Sequence, residues 1–354
     1  FMDDDARACY DRIVTSLNSL ECRKWGAPYK LAKFTNTFIE NQAYSIRTAH
    51  GISNSTYSYS DDAPIQGSGQ GIGWAGPRWL CSGDTCSRIL AESKSGMSFS
   101  DPTYSIKVRK QGDYFVDDTA TGVTLNTLRT DQRDIFEQLQ DIEQLHSDVL
   151  FSLGHKLAID KCSFYAADYI RGKIQHEHKL IHELPGTVHI REGHTSHPTN
   201  VKRLQPFQAH KTLGCHIALD SNQKRQFIVL NDKLKTWNSK IVSSFLNKKD
   251  RIKSYEAYMA KSGQYILSMS SLSKKQCHEL DKNVTPILYN AHGVQRNSSK
   301  CMLYSPVQYG GYGHHDFWST QGIEKLKFFL THYRRHDTTG RLLKMSMRWT
   351  QLEC

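Results

Sequence analysis

A regular apolar stripe runs through residues 131–153 of the sequence. Apolar side chains recur there every three or four positions, the spacing of one face of an α-helix, at Ile135, Leu139, Ile142, Leu145, Val149 and Leu153. Thr130 is placed to cap the start of this helix, and Gly154 suits the left-handed position after its end. The pattern therefore predicts an amphipathic helix that buries one side.

The same spacing predicts further helices, most of them in the second half of the chain. The longest covers residues 222–247 and has an apolar side formed by Phe227, Leu230, Leu234, Trp237, Ile241 and Phe245. Others fit residues 252–270, 273–290 and 320–335. In the first half, a turn near Tyr10 is predicted to lead into a helix that ends at about Arg23, and a second helix fits residues 77–93.

Strand patterns occur before residue 220. Residues 104–110 alternate between apolar and polar positions, and Gly112-Asp113 is predicted to turn this strand into a partner that starts at Tyr114. A buried strand ending at Asp5 and a short strand around Leu213 are also predicted. The fold class is therefore predicted to be α+β, with an antiparallel sheet and packed helices over residues 1–220, a helical region over 221–300 and a C-terminal helical extension over 301–354.

Charge is divided unevenly along the chain. Residues 1–150 hold 15 Lys/Arg and 20 Asp/Glu, whereas residues 151–354 hold 31 Lys/Arg and 15 Asp/Glu. This division is typical of a protein that binds cations in one region and a polyanion in another. Its nine cysteines are scattered without paired spacing, which favours a reducing compartment. With an acidic start and no long apolar run, we predict an intracellular protein, cytoplasmic or nuclear, that is neither secreted nor membrane-bound.

Acidic residues follow short apolar stretches at two places in the first half of the chain. Asp5 stands at the predicted end of a strand, and Asp117-Asp118 follow Phe115-Val116 at a predicted hairpin. Adjacent carboxylates repel each other unless a cation lies between them. Phosphoryl transfer with two Mg²⁺ ions uses such a set, because hard cations prefer oxygen ligands. Asp-Asp pairs are also common in ordinary turns, so the pair alone is a weak sign.

Further residues form an ordered set of short motifs around these carboxylates. In chain order the motifs are Asp5 with Tyr10 and Asp11, Gly69-Gln70-Gly71 followed by Pro77, Phe115-Val116-Asp117-Asp118, Gly154 followed by Lys161, and Leu213-Gly214. With these five motifs in order, the sequence resembles the reverse transcriptases of non-long-terminal-repeat retrotransposons. The resemblance covers roughly residues 3–218. Each motif is weak by itself, and the order makes the set specific.

The resemblance implies an RNA-directed DNA polymerase, which is a nucleotidyltransferase, with a palm and partial fingers over residues 1–220 and a helical thumb over 221–300. Asp5, Asp117 and Asp118 would be the catalytic carboxylates that hold Mg²⁺, with Mn²⁺ as a substitute. Lys161 would lie near the pyrophosphate leaving group and donate a proton to it. A solvated surface lysine is the ordinary alternative for Lys161.

The resemblance also implies how an RNA template, a DNA primer and dNTPs would be bound. Tyr10 would lie under the sugar of the incoming nucleotide, where its bulk excludes a 2′-hydroxyl. Gln70 and Gly71 would lie against the template and the nucleotide, because a glycine lets the backbone approach closely. Leu213 and Gly214 would support the primer end. Basic residues of the thumb would follow the duplex backbone, and they are Lys224, Arg225, Lys233, Lys235, Lys240, Lys248, Lys249, Arg251 and Lys253.

Departures from the family leave other interpretations open. The fingers that precede the first catalytic strand in the family are not recognisable, so we expect this chain alone to polymerise poorly. Residues 72–76 also differ from the commoner Pro-containing version. A viral RNA-dependent RNA polymerase uses similar carboxylates, although it usually has Gly where Val116 stands. The remaining alternatives are a non-catalytic nucleic-acid-binding remnant, and a zinc site among the histidines of residues 176–197.

Overall fold

The computed structural model describes residues 1–7, 9–60, 66–68, 72–93, 96–124, 134–171, 176–193 and 197–353. Its α-helices are α1 (Thr15–Lys24), α2 (Tyr29–Glu40), α3 (Ala75–Glu92), α4 (Ile135–Ser152), α5 (Lys224–Val242), α6 (Lys248–Ser254), α7 (Lys261–Met269), α8 (Lys274–His292), α9 (Cys301–Tyr304), α10 (Phe317–Tyr333) and α11 (Thr338–Glu353). Short 3₁₀ helices cover Cys9–Arg12 and Val307–Tyr309, and Tyr255–Ala260 is π-helical.

The strands are short and mostly paired in antiparallel fashion. In chain order they are β1 (Met2–Asp5), β2 (Ala43–Thr48), β3 (Gly51–Ser58), β4 (Met97–Ser100), β5 (Lys107–Lys110), β6 (Gly112–Phe115), β7 (Asp118–Thr121), β8 (Ser163–Phe164), β9 (Tyr169–Arg171), β10 (His176–His178), β11 (His189–Ile190), β12 (Thr199–Asn200), β13 (Lys202–Arg203), β14 (His210–Thr212) and β15 (Cys215–Ile217). Small sheets combined with separate helices confirm the predicted α+β class.

The described chain divides into two compact units. The first contains Phe1–Ser98 and Arg109–Gln205, and the second contains Phe99–Val108 and Pro206–Cys354. We describe each unit by itself. The predicted separation of residues 221–300 from 301–354 stays a prediction.

A five-stranded sheet organises the first unit, in the order β13-β8-β1-β7-β6. Strand β1 is central, since Met2 pairs with Thr121 of β7 on one side and with Phe164 of β8 on the other. Met2 and Phe164 also belong to the apolar core that contains Leu139 and Ile142 of α4. Helix α4 therefore covers one face of the sheet, as expected for an amphipathic helix whose apolar stripe is about 100° wide or more.

Helix α4 matches the predicted helix closely at its C-terminal end. Gly154 follows it with φ +88°, in the left-handed region that favours glycine. At the N-terminus the helix begins at Ile135, and the side chain of Asp134 accepts a hydrogen bond from the backbone N–H of Phe136. The predicted cap, Thr130, lies outside the described residues.

The hairpin turn predicted at Gly112-Asp113 is wrong. These residues lie inside β6, and the turn falls at Val116-Asp117, because Phe115 pairs with Asp118. The strand that precedes them, β5, pairs with β4 instead. The sequence pattern was misleading because a Gly-Asp pair is a common turn former but also fits a strand edge. The helix α2 and the β2–β3 hairpin were not predicted either.

The second unit is built mainly from helices, and its core gathers residues of α5, α7 and α8. Leu230 and Leu234 of α5 are fully buried in one cluster with Leu280 and Leu288 of α8. The predicted helices over residues 222–247 and 273–290 are present as α5 and α8. The predicted helix over 252–270 is present as a continuous run of α6, a π-helical segment and α7.

Asp281 gives this unit a testable pH dependence. Its carboxylate accepts the backbone N–H of Phe317 at 3.1 Å, and burial raises its pKa to about 6 from a usual value of 3.8. The fold therefore favours the protonated carboxyl, so stability should fall as the pH rises through the range 3.8 to about 6 and stay level above it. We expect Asp281→Asn to remove this fall and to add about 1–2 kcal/mol at pH 7.5. Urea unfolding of the wild type and the variant from pH 4 to 8 measures the unfolding free energy. If that free energy has the same slope against pH in both proteins, the assignment is refuted.

Candidate active site

Three acidic residues from two distant parts of the chain meet at one end of the central sheet. Asp5 is the last residue of β1, and Asp118, the first residue of β7, is its direct cross-strand partner. Asp117 precedes Asp118 in the turn, and its carbonyl accepts the backbone N–H of Ala6 at 3.0 Å. Residues directly opposite on antiparallel strands have Cβ atoms about 4.5–5.5 Å apart. The sheet register and the adjoining turn therefore place all three predicted residues at one end of the sheet.

Asp5, Asp117 and Asp118, which we call the acidic group, act on one another through their charges. The pKa of Asp118 is raised above its usual value, first by burial and then by the negative charges of Asp117, Asp3 and Asp5. Lys161 opposes this effect. Like charges that share a site disfavour ionisation, and a cation placed among them would reverse the effect. The group is therefore electrostatically suited to attract cations.

Lys161 is attached to the first of the three carboxylates. Its Nζ lies 2.6 Å from Oδ2 of Asp5, although 156 residues separate them in the sequence. The backbone N–H of Ala158 donates to the carbonyl of Asp5 at 2.8 Å, which anchors the segment that carries the lysine. The hydrogen bond and the charge of Asp5 raise the pKa of Lys161, so this ammonium is protonated at neutral pH. Its side chain is 64% exposed, hence the ion pair adds little to stability.

The carboxylate oxygens of the acidic group are not close enough to one another to form a ready metal-binding site. Among the described residues, three potential ligand atoms lie within 4.8 Å of one another at Asp4, Glu143 and His146, which together could hold a metal ion. Asp5, Asp117 and Asp118 are not gathered this closely. The described histidines of residues 176–197 do not form such a group either.

Trp79 supports the turn that carries Asp117, and the sequence analysis did not single it out. Its indole N–H donates to the carbonyl of Val116. Val116 has φ +55°, a conformation that is unusual for a β-branched residue and needs support from its surroundings. Trp79 is buried, and the ring of His155 packs edge-on against it with centroids 4.7 Å apart. The position of Trp79 on the apolar side of the predicted helix over 77–93 was the one available signal.

Tyr10 lies beside this group on the 3₁₀ helix Cys9–Arg12. Its half-buried ring meets Trp79 edge-on with ring centroids 6.4 Å apart. Burial raises the pKa of the Tyr10 hydroxyl, and the charges of Cys9 and Asp117 add to the effect. The predicted sugar-contacting residue is therefore close enough to the acidic group to feel the charge of Asp117.

The remaining predicted residues are two adjacent pairs. Gln70 and Gly71 lie outside the described residues. Leu213 and Gly214 lie in the second unit, where they form the turn between β14 and β15 with φ +49° and +82°. The hydroxyl of Tyr265 donates to the carbonyl of Leu213 at 2.5 Å and so holds this turn.

A conservative change at Trp79 tests whether the turn needs its support. Trp79→Phe keeps an aromatic ring but removes the hydrogen bond to Val116. We expect a loss of about 1–2 kcal/mol in unfolding free energy and at least a tenfold weaker binding of Mn²⁺ to the acidic group, measured by electron paramagnetic resonance. The matched control is Trp74→Phe in the same region, because the ring of Trp74 packs edge-on against Phe38 instead. Equal Mn²⁺ affinity in Trp79→Phe and wild type would contradict the supporting role.

Comparisons with known proteins add little to this description. No known family profile matches the chain, and no curated protein matches it. Among solved structures, it is similar to a telomerase from Candida tropicalis solved in complex with a TWJ fragment of telomeric RNA, at 10% identity and a TM-score of 0.32. The match covers 99% of this chain and 48% of that one, so this chain spans about half the telomerase chain. A TM-score of this size is too low to support a functional conclusion.

Within the described ranges, none of the helices combines the length and the apolarity that a bilayer crossing requires.

Proposed function

We propose that this chain is the catalytic part of a reverse transcriptase of retrotransposon type, which adds dNTPs to the 3′-hydroxyl of a DNA primer on an RNA template. The observation that carries the proposal is the cross-strand pairing of Asp5 with Asp118, with Asp117 in the adjoining turn. The ordered motifs of the sequence supply the reaction class. In this proposal the first unit contains the palm, and the helices that follow residue 220 form the thumb.

The acidic group fits Mg²⁺, or Mn²⁺ in its place, by the chemistry of its donors. All three side chains offer carboxylate oxygens, which these hard cations prefer. The pKa of Asp118 is raised first by burial and then by the negative charges of its neighbours, and a cation would offset that repulsion. Asp5 and Asp117 would hold the ions, with Asp118 beside them. When bound, the ions make the primer hydroxyl more acidic and stabilise charge on the transferred phosphate.

Lys161 has the properties of the proton donor. A lysine is protonated at neutral pH, and the hydrogen bond and charge of Asp5 raise the pKa of Lys161 further. Its side chain is largely exposed, so a phosphate could replace the carboxylate of Asp5 as its partner. A protonated amine beside the departing pyrophosphate neutralises charge and can transfer a proton to the leaving oxygen. Asp5 would thus have two roles, since it pairs with Lys161 in this structure and would hold a cation in the complex with nucleotide.

Binding of a nucleic-acid duplex is assigned to the basic helices of the second unit. Eight of the basic residues concerned are exposed, and they are Lys224, Arg225, Lys233, Lys235, Lys240, Lys248, Lys249 and Lys253. The ninth, Arg251, is half-buried and donates to Asn290 at 2.7 Å. Such side chains position a duplex through its phosphates and carry no base code.

Tyr10 provides the test that separates a DNA polymerase from an RNA polymerase. If its ring lies under the sugar of the nucleotide, Tyr10→Val should raise incorporation of NTPs relative to dNTPs by at least about tenfold, which is about 1.4 kcal/mol of discrimination. Single-nucleotide primer extension by the full-length gene product measures this ratio. Tyr44→Val is the control, because Tyr44 is a tyrosine of the same unit that stacks on Tyr57 instead. A wild-type preference for NTPs would favour the RNA polymerase, and primer–template binding without extension would favour a non-catalytic remnant.

A further inference from the structure

A second group of ionisable side chains lies behind the strand that carries Asp5. Side chains alternate along a strand, so Asp4 points away from Asp3 and Asp5 and toward α4. There it meets Glu143 and His146, which are three positions apart and share one face of the helix. All three are buried, with at most 2% of any of these residues exposed. We call them the buried triad.

The buried triad is compact and incompletely hydrogen-bonded. Nδ1 of His146 lies 3.2 Å from Oδ2 of Asp4 and 4.0 Å from Oε2 of Glu143. The hydroxyl of Thr121 donates to Oε1 of Glu143. In contrast, Oδ1 of Asp4 and Oε2 of Glu143 have no hydrogen-bond partner among the described residues. Apart from a proton that the two carboxyl groups could share, these two buried oxygens have no hydrogen-bond partner among the described residues.

The negative charges of these buried carboxyl groups need to be neutralised by a proton or a positive charge. An ion moved from water to a protein interior loses several kcal/mol of hydration, which only a close partner can return. An imidazolium at His146 supplies one positive charge for two carboxylates. The two carboxyl groups are also near enough to each other to share a proton. Either a shared proton or a divalent cation would therefore complete the charge balance.

We propose that the buried triad is a structural binding site for a divalent cation of the zinc class. Tetrahedral Zn²⁺ bound at about 2.0–2.1 Å places its ligand atoms about 3.3 Å apart, and carboxylate oxygen and histidine nitrogen are both among its usual ligands. The separation of His146 from Asp4 is close to this value. A Glu-x-x-His pair on one helix is also a spacing that metal sites in helical bundles use. Mg²⁺ is a poorer match, because it prefers octahedral oxygen ligands.

A cation at this place would act on the position of Asp5. It would join β1 to α4 through Asp4, and Asp5 is the next residue of the same strand. The buried triad would thus be a structural site on the reverse face of the sheet, separate from the acidic group at its end. This proposal does not depend on the polymerase function, since it concerns only how β1 is held.

Cobalt substitution tests the proposal on the complete chain. The protein is purified in chelator, and Co²⁺ and Zn²⁺ are then added in turn. We expect one equivalent of Co²⁺ to produce the visible absorption of a tetrahedral site, Zn²⁺ to displace it, and Zn²⁺ to raise the melting temperature. Absence of the visible band in folded wild-type protein would overturn the proposal and leave the shared proton as the explanation.

Variants then locate the site. Glu143→Gln and His146→Leu should each weaken Zn²⁺ binding at least tenfold and abolish the rise in melting temperature. Glu137→Gln, an exposed position on the first turn of the same helix, should bind Zn²⁺ as the wild type does. If His146→Leu fails to fold, Glu143→Gln decides, because it preserves shape. Zn²⁺ binding that survives Glu143→Gln would contradict the assignment.

Discussion

Replacement of Asp117 by asparagine should abolish primer extension, with a loss of at least about 10³-fold in rate, or about 4 kcal/mol of transition-state stabilisation. The reason is that an asparagine side chain would keep the shape of the turn but lose the charge that, in the proposed function, would hold a catalytic cation. Stability should not fall, because the change removes one of the negative charges that raise the pKa of Asp118. Activity is measured on the full-length gene product, and stability by urea unfolding of residues 1–354.

Asp113→Asn is the matched control for this experiment. Asp113 lies four positions away in the same hairpin, and its exposed side chain pairs with Lys110. We expect this variant to extend primers within about twofold of the wild-type rate, as is usual for a surface change. Equal losses in both variants would mean that the hairpin, and not the carboxylate of Asp117, limits activity.

Gly154→Ala should have the largest effect on stability, about 2–5 kcal/mol. Its φ of +88° disfavours any side chain by about 1–2 kcal/mol, and an added Cβ would lie 2.2 Å from Cγ2 of Val14. Overpacking of this kind costs about 1–3 kcal/mol more. Gly154 and Val14 are both in the first unit. The loss should appear in urea unfolding of residues 1–354 monitored by tryptophan fluorescence.

The double variant Gly154→Ala/Val14→Ala separates the two causes. Removing the Val14 methyl groups relieves the close contact but leaves the left-handed backbone conformation of residue 154 unchanged. We therefore expect the double variant to recover part of the stability that the single variant loses. If the two single effects simply add, the contact with Val14 is not the cause, and a loss below about 0.5 kcal/mol in Gly154→Ala would refute the argument as a whole.

The sequence was most informative where a long periodic pattern or a glycine with a special conformation fixed the structure. Helix α4 ends where the apolar stripe and Gly154 predict, since both signals are local. The turn at Val116-Asp117 was misplaced because it depends on Trp79, a residue of another helix that donates to the Val116 carbonyl. Local turn propensity carries no information about a contact with a distant residue. The turn was therefore predicted at Gly112-Asp113.

The same limit applies to the acidic residues near the start of the chain. Asp5 was singled out with Asp117 and Asp118 by motif order, and the structure places all three at one end of the sheet. The role of Asp4 was missed, although alternation along β1 implies that it faces away from Asp5. Its partner His146 is 142 residues distant, and only the packing of α4 on the sheet reveals the pairing.

Templated DNA synthesis by the wild-type full-length gene product tests the central claim most directly. An RNA template with a DNA primer is offered with each dNTP in turn, with and without Mg²⁺. The proposed function predicts addition of the complementary dNTP only, dependence on Mg²⁺, and loss of the reaction in Asp117→Asn. Tight binding of the primer–template with no Mg²⁺-dependent addition of any dNTP would contradict it.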